Sequence, residues 1–162
     1  MSLQTVKEYL RAWHKDGAVR EFPVSSATVE LAAAALQVEP ARIAKTLSFL
    51  KGDGCLLLVA AGDARIDNTR FKAAFGCKAK MPERERVEAL TGHPVGGVCP
   101  FANPEGVAVY LDESLRRFAT VFPACGSANS AIELTCEELE TLSRAAGWVD
   151  VCKGWRPEEP TI

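Results

Sequence analysis

Lys45 lies in a stretch with the pattern of a buried strand. In AKTLSFL, residues 44–50, side chains alternate in direction, so Lys45 shares one face with Ile43, Leu47 and Phe49. An ammonium group without a partner is costly on such an apolar face. The side chain therefore either extends its amine to water at the strand end or meets an anion.

Two glycine-containing loops supply the other candidate chemistry. They are GHPVGGVCPF, residues 92–101, and PACGSANSAIEL, residues 123–134. Glycines let backbone N–H groups approach a ligand closely, as an oxyanion or a phosphate oxygen requires. Together with Lys45 the loops could frame a pocket for an anionic or ester-bearing ligand. Glycines between strands also commonly form simple turns, and that alternative stays open.

His93 and Cys99 suggest a different chemistry, that of a thiol hydrolase with a Cys–His pair. Such a pair needs spatial adjacency, a lowered thiol pKa and usually an orienting carboxylate, and the sequence displays none of these. The alternative is a small buried thiol beside a histidine that shapes the loop.

The elements that must position these residues follow one another irregularly. Helical spacing of Val6, Leu10 and Trp13 predicts a helix over about 3–15, and a short strand is expected near 18–24. Next come a helix capped by Thr28 and a hairpin in which AKTLSFL and CLLLVAA flank the turn KGDG. Two helices are predicted after the hairpin, from Asp67 to Gly76 and from Pro82 to Gly92. The last predicted elements are strands at 107–112 and within FATVFPACG and SAIEL, a helix from the Thr135–Glu138 capping box to Gly147, and a strand WVDVC. The hairpin excludes a purely parallel sheet, so we expect a mixed sheet with helices packed outside.

Composition narrows the class of protein. A chain of 162 residues with a net charge of −2 is one ordinary domain, and its charge disfavours wrapping a long nucleic acid, although a small contact remains possible. The six cysteines are scattered without a C-x-x-C pair, which predicts reduced thiols in the cytoplasm and no zinc site. We expect no signal peptide, no membrane span and neither a metal nor an organic cofactor.

Basic residues are crowded between positions 65 and 86. Such a cluster is ordinarily a solvated helix face with its i,i+4 pairs, and it could also contact a nucleic-acid stem. Its members are Arg65, Arg70, Lys72, Lys78, Lys80, Arg84 and Arg86, against Asp67, Glu83 and Glu85.

The motifs AKTL, GHPVGGVCPF and GSANSAIEL, in this order, resemble those of the YbaK family of aminoacyl-tRNA deacylases. That family includes free-standing relatives of the editing domain inserted in bacterial prolyl-tRNA synthetase. The resemblance implies an α/β (α+β) domain with a mixed, barrel-like sheet over residues 1–153, followed by a flexible C-terminal tail at 154–162.

The resemblance also implies roles for particular residues. Lys45 matches the family's functional lysine, expected to hold the 3′-terminal nucleotide or its phosphate. Gly96, Gly97 and Pro100 match the loop whose backbone lines the carbonyl site, and Gly126 opens the second loop. We take Lys45, Gly96 and Gly97 as catalytic, and as substrate-binding Ser25, Ser26, Thr28, Thr46, Cys99, Pro100, Gly126, Ser127 and Asn129.

The segment FPVSSATVE bears on selectivity, because the family's substrate-facing residues lie there. Hydroxyls of Ser25, Ser26 and Thr28 would favour a small or hydroxylated amino acid. Alternatively, Thr28 is only a helix N-cap and the serines are turn residues. Ala102 stands where the family often has glycine. Ala131 stands where relatives that act on cysteinyl-tRNA carry an acid, which disfavours a cysteine-specific enzyme.

The implied function is trans-editing, the hydrolysis of mischarged aminoacyl-tRNA, with tRNA for proline carrying a small wrong amino acid as the leading substrate. An activated ester held against N–H donors needs no protein nucleophile, so water or the substrate itself would attack. The expected partner is the 3′ acceptor end of aminoacyl-tRNA, and an aminoacyl-tRNA synthetase is a second candidate partner. The alternative is a non-catalytic module that binds an amino acid or aminoacyl-tRNA.

Overall fold

A computed structural model describes residues 2–156, and residues 157–162, most of the predicted tail, lie outside the described range. Within it, Trp155 donates from Nε1 to the Cys152 carbonyl at 3.2 Å, so packing extends to the end of the described chain. The helices are α1 (Ser2–Arg11), α2 (Val29–Leu36), α3 (Asn68–Phe75), α4 (Val87–Thr91) and α5 (Cys136–Ser143). The strands are β1 (Arg20–Glu21), β2 (Ile43–Lys51), β3 (Gly54–Ala61), β4 (Arg65–Ile66), β5 (Ala108–Asp112), β6 (Phe122–Pro123), β7 (Ser130–Ala131), β8 (Gly147–Val149) and β9 (Cys152–Lys153).

The main sheet has five strands in the order β6-β2-β3-β5-β8. Only the β2–β3 hairpin is antiparallel, and the other three neighbouring pairs are parallel. The sheet curls as a half-barrel with helices against it, which confirms the expected mixed α/β single domain. Two small antiparallel pairs, β1–β7 and β4–β9, lie outside this sheet.

The core forms around the central strand and the helix that covers it. β3 is buried along nearly its whole length, as expected for an apolar strand with neighbours on both sides. On α3, Phe71 packs between Phe49 of β2 and Phe75, with ring centroids 4.8 and 4.6 Å apart. Each buried side chain of this size contributes about 1.5–3 kcal/mol through removal of apolar surface from water.

Local capping signals are confirmed. The side chains of Thr28, Asp67 and Thr135 cap α2, α3 and α5, and Thr135 with Glu138 forms the complete capping box. Gly76 and Gly92 end α3 and α4 in the left-handed conformation.

Several predicted boundaries are wrong where tertiary pairing competes. The helix predicted from Pro82 begins later, with a 3-10 turn at Arg84–Arg86 that leads into α4, and the segment before it is held to β2, where the Leu50 N–H donates to the Lys80 carbonyl at 2.7 Å. Helix α5 ends at Ser143, four residues before Gly147, since Ala146 bonds to Val109 and Gly147–Val149 must pair with β5. The predicted single strand WVDVC is divided between β8 and β9. The Val151 N–H, between these two strands, donates to the Asp112 carboxylate at 2.9 Å and takes no part in strand pairing.

None of the helices in residues 2–156 is both long enough and apolar enough to cross a lipid bilayer.

Candidate functional site

Three segments far apart in sequence meet beside β2. They are residues 25–28 before α2, residues 94–98 of the first glycine loop and residues 126–130 of the second. The Ser26 N–H donates to the Ala128 carbonyl at 2.6 Å, which joins the first and third segments. Gly97 joins the second to the third, because a Cβ built there would lie 2.7 Å from the Gly126 carbonyl oxygen.

These segments and β2 enclose a cavity of about 340 Å³. Its polar lining is mostly hydroxyl groups, while the remainder is apolar, with Met81 and Val95 exposed at 56% and 41%. A small cavity with a few convergent polar groups is the usual form of a small-ligand site. The hydroxyl-bearing residues are Ser26, Thr28, Thr46, Ser48 and Ser130.

Lys45 reaches this cavity from β2 and is half-buried. Its Nζ donates to the carbonyl of Ala64 and, at 3.4 Å, to that of Gly62, so the amine does not extend into bulk water. Burial lowers the pKa of Lys45 below its usual range, and the nearby Cys152, Asp63 and Glu30 oppose that shift. Lys45 is therefore a partly desolvated donor at the edge of the cavity.

The loop that holds Lys45 is itself anchored by an ion pair. Arg117 donates to both carboxylate oxygens of Asp63, at 2.9 and 2.5 Å. This bond lowers the pKa of Asp63. Arg117 also donates to the Ser114 and Trp155 carbonyls, so the guanidinium joins three parts of the chain behind Lys45.

The two glycines predicted to be catalytic take different roles. Gly96 has φ +88° and lines the cavity, with the Cβ atoms of Ala27 and Ala128 each 3.6 Å from the position its own Cβ would occupy. Gly97 is buried, and its N–H donates to Pro94 at 2.9 Å. The expectation that its N–H faces the ligand therefore needs revision, since that donor is already engaged.

Val98 is a cavity residue that the sequence analysis did not single out. Both Gly96 and Val98 line the cavity. Over residues 2–156, neither backbone N–H has an intramolecular acceptor. An N–H without a protein acceptor at the edge of a cavity is available to bind a ligand oxygen.

His93 and Cys99 are adjacent, with Nε2 and Sγ 3.5 Å apart. The sequence did not reveal this contact. Nε2 also lies 2.8 Å from the Phe101 carbonyl, which can only accept, so this nitrogen carries the proton and cannot take one from the thiol. Burial raises the pKa of Cys99 to about 12 and lowers that of His93.

Two further features set this pair apart from a catalytic one. Cys99 is fully buried and does not line the cavity. No carboxylate in the described part of the chain contacts the imidazole, whose Nδ1 instead pairs with the Ser2 hydroxyl. Cys99 and His93 therefore pack the loop from behind.

The remaining predicted site residues divide into lining and supporting groups. Ser26, Thr28 and Thr46 line the cavity, and Thr28 also caps α2 by accepting from Leu31 at 3.1 Å. The two sequence interpretations of Thr28 are thus compatible. The supporting residues, which do not line the cavity, are Ser25, Cys99, Pro100, Gly126, Ser127 and Asn129.

The supporting residues hold the loops by identifiable contacts. Gly126, at φ +92°, leaves no space for a side chain beneath Ser2 and Val6 of α1. Asn129 donates to the Phe22 carbonyl at 3.0 Å, and Ser127 bonds to Ser130 at 2.6 Å. These contacts fix the second loop against the segment before α2.

Sequence reasoning missed Ser48 and Ser130 as cavity residues. The strand alternation contained the signal for Ser48, which lies on the same face of β2 as Thr46. Ser130 had no comparable signal, because it lies in the second glycine loop region and its place beside the cavity depends on tertiary packing, including its pairing with Glu21 of β1.

Comparison with known proteins identifies the kind of domain to which the chain belongs. A family model, the aminoacyl-tRNA editing domain, matches residues 24–142, which include β2 and both loops. The chain belongs to the aminoacyl-tRNA editing domain family. A relative of this editing domain in Bacillus subtilis, "Uncharacterized protein YwhH", is 53% identical over 156 residues, covering 96% of this chain and 99% of the relative.

Two further relatives carry more specific descriptions. The Enterococcus faecalis protein described as "Putative Cys-tRNA(Pro)/Cys-tRNA(Cys) deacylase EbsC" is 28% identical to this editing domain, covering 85% of this chain and 79% of its own length. A crystal structure described as "a putative trans-editing enzyme for prolyl tRNA synthetase" superposes with a TM-score of 0.84 at 30% identity, covering 94% of this chain and 98% of the other.

Proposed function

We propose that this editing domain is a free-standing deacylase that hydrolyses the ester of mischarged aminoacyl-tRNA in trans. The observation that carries the proposal is the cavity, which joins Lys45, the Gly96 turn and a set of hydroxyls in one place. Membership in the editing-domain family supports an ester of tRNA as the substrate.

The size of the cavity favours a small acyl group. A volume of about 340 Å³ corresponds to roughly ten water molecules at about 30 Å³ each. That space suits a small amino acid and part of the terminal ribose, while the rest of the tRNA stays outside. The candidate amino acids are those that the family resemblance suggests, alanine, serine, threonine and cysteine, and the descriptions of the relatives favour tRNA for proline as the carrier.

Thr46 adds a reason to expect a polar group on the ligand. Its Oγ1 is buried without a hydrogen-bond partner in the described structure, a state that costs about 1–3 kcal/mol. Thr46 lines the cavity, and we propose that a ligand hydroxyl or ammonium reaches that oxygen once the lining adjusts around the ligand. A site that hydrogen-bonds its substrate also rejects analogues that cannot reciprocate.

The proposed mechanism relies on positioning and on N–H donors. The acyl carbonyl oxygen accepts from the N–H groups of Gly96 and Val98, which stabilises the oxyanion as it forms. Lys45 holds the terminal nucleotide by its charge and orients the ester. The attacking oxygen or sulfur comes from water or from the substrate, since Cys99 is neither exposed nor ionised near neutral pH.

A deacylation panel tests the proposal. Purified protein is incubated with tRNA for proline charged with alanine, serine, threonine, cysteine or proline, and ester loss is followed. We expect at least one mischarged tRNA to be hydrolysed well above the spontaneous rate and prolyl-tRNA to be spared. If no member is hydrolysed and one is bound tightly, the protein is a binding module and the proposal fails.

Lys45→Ala and Lys45→Met test the role of the lysine. We expect kcat/KM to fall at least tenfold in both, while the thermal midpoint stays within a few degrees, because relief of a partly buried charge offsets the lost hydrogen bonds to the Gly62 and Ala64 carbonyls. Unchanged specific activity with a large loss of stability would assign Lys45 a structural role.

Because charged tRNA is the proposed substrate, we expect the protein to act in the cytoplasm. A synthetase partner is compatible with this proposal and is not required by it.

A further inference from the structure

A basic groove runs beside α3. It is lined by Asn68, Thr69, Lys72, Ala73, Lys78 and Ala79 and has a volume of about 820 Å³. The chain contains no acidic residue between Asp67 and Glu83. Lys72, Lys78 and the adjoining Lys80 are exposed and form no ion pair within the described range. The groove is therefore locally cationic although the whole chain has a net charge of −2.

The basic groove leads to the cavity. Ala79 lines the groove and Met81 lines the cavity, so the two sites are two residues apart on an extended segment, roughly 7 Å. A hydrogen bond from Leu50 to the Lys80 carbonyl fixes that segment along β2. The exposed Met81 side chain lines the cavity two residues after Ala79 of the groove and offers an apolar surface for a base.

The lining of the basic groove suits a nucleic-acid backbone. Lysine, asparagine and threonine side chains contact phosphate and sugar oxygens, and the alanines let the strand approach closely. Arg70, the one arginine on α3, is paired with Asp150 at 3.2 Å and does not line the groove. Without a free bidentate arginine, the contact would follow backbone shape and charge, as recognition of helical RNA generally does.

We propose that the basic groove binds the phosphate backbone of the tRNA acceptor stem and directs the 3′ end past Met81 into the cavity. This inference rests on the proposed function for its ligand. It adds a second contact surface outside the cavity, with Lys72, Lys78 and Lys80 as its charged residues.

The test compares two variants of equal charge. K72Q/K78Q removes two cations from the basic groove. R11Q/K15Q removes two cations at and just after the end of α1, where Arg11 pairs with Asp16 and Lys15 pairs with Glu138. Neither residue lines the groove or the cavity. Both pairs are exposed enough that we expect a small effect on the thermal midpoint.

Binding of fluorescently labelled, uncharged tRNA is measured first, at several salt concentrations. For K72Q/K78Q we expect Kd to rise about tenfold and the slope of log Kd against log salt to fall by about 1–2 relative to wild type. R11Q/K15Q should match wild type. An unchanged Kd and slope for K72Q/K78Q would overturn the inference.

Hydrolysis then separates this inference from the proposed function. With a mischarged tRNA we expect KM to rise and kcat to hold in K72Q/K78Q, while an aminoacyl ester of the terminal adenosine alone is cleaved as by wild type. If wild-type protein binds tRNA through the groove but cleaves no ester, the proposed function is wrong and the inference about the groove is still supported. A defect seen only when a synthetase is added would show that the groove binds protein, and would overturn the inference.

Discussion

Gly97 packs directly on Gly126, and a Cβ on Gly97 would lie 2.7 Å from the Gly126 carbonyl oxygen. This contact locks together the two glycine loops that face the cavity. The stiffness of the site therefore depends on a residue that does not itself touch the ligand space.

Gly97→Ala should separate the loops. The added methyl group meets backbone, which cannot move aside as a side chain would, so we expect a loss of about 1–3 kcal/mol in the free energy of unfolding and a loss of deacylation. Denaturant unfolding and kcat/KM measure the two effects. Gly17→Ala is the control, since nothing lies within 4 Å of its added Cβ, and it should change stability by less than about 1 kcal/mol. Equal stability of both variants would contradict the close packing of the loops.

Thr46→Val should separate stability from function. Because the Thr46 Oγ1 is buried without a partner, replacing the hydroxyl by a methyl group should leave the free energy of unfolding unchanged or raise it by up to about 1 kcal/mol. We expect kcat/KM for the preferred mischarged tRNA to fall about fivefold or more.

Thr28→Val serves as the matched control for that substitution. Thr28 also lines the cavity, but its hydroxyl caps α2, so this variant should lose about 1 kcal/mol. Equal destabilisation of the two variants would mean that Thr46 has a structural partner.

Asp63→Asn should show a pH-dependent cost. Its hydrogen bonds from Arg117 hold the folded-state pKa of Asp63 below that of the unfolded chain. The stabilisation is thus complete above the ordinary carboxyl pKa near 4 and is lost as pH falls through the lower folded value. Since Asp63 is more than a third exposed, we expect about 0.5–1 kcal/mol. Urea unfolding of both proteins at pH 7, 5 and 3 measures it, and a difference that does not shrink at pH 3 would refute the assignment.

Cys99→Ala should retain deacylation. Burial raises the pKa of this thiol to about 12, so the thiolate is scarce at neutral pH and the variant should keep kcat/KM within about threefold. The small cavity left behind should cost about 1 kcal/mol. In native wild-type protein, iodoacetamide should not modify Cys99 at pH 8, as peptide mass analysis would show. A thousandfold loss of activity in a folded variant would instead identify a thiol hydrolase.

The sequence alone determined the features that depend only on residues close together in the chain. The caps at Thr28, Asp67 and Thr135 need only a side-chain oxygen and an N–H two or three residues ahead, so they were predictable. The hairpin followed from alternation around a turn, and the placement of Lys45 beside apolar neighbours followed from the two-residue period of a strand.

Tertiary structure decided which of those residues meet. The carbonyls that bind Lys45 lie 17 and 19 residues away in sequence, just after the end of β3, which the pairing of β2 with β3 brings beside Lys45. Gly97 donates its N–H within its own loop, Gly96 and Val98 line the cavity, and His93 and Cys99 touch in the interior. Such pairings depend on how distant backbone segments fill space together, and no local period or composition specifies that packing.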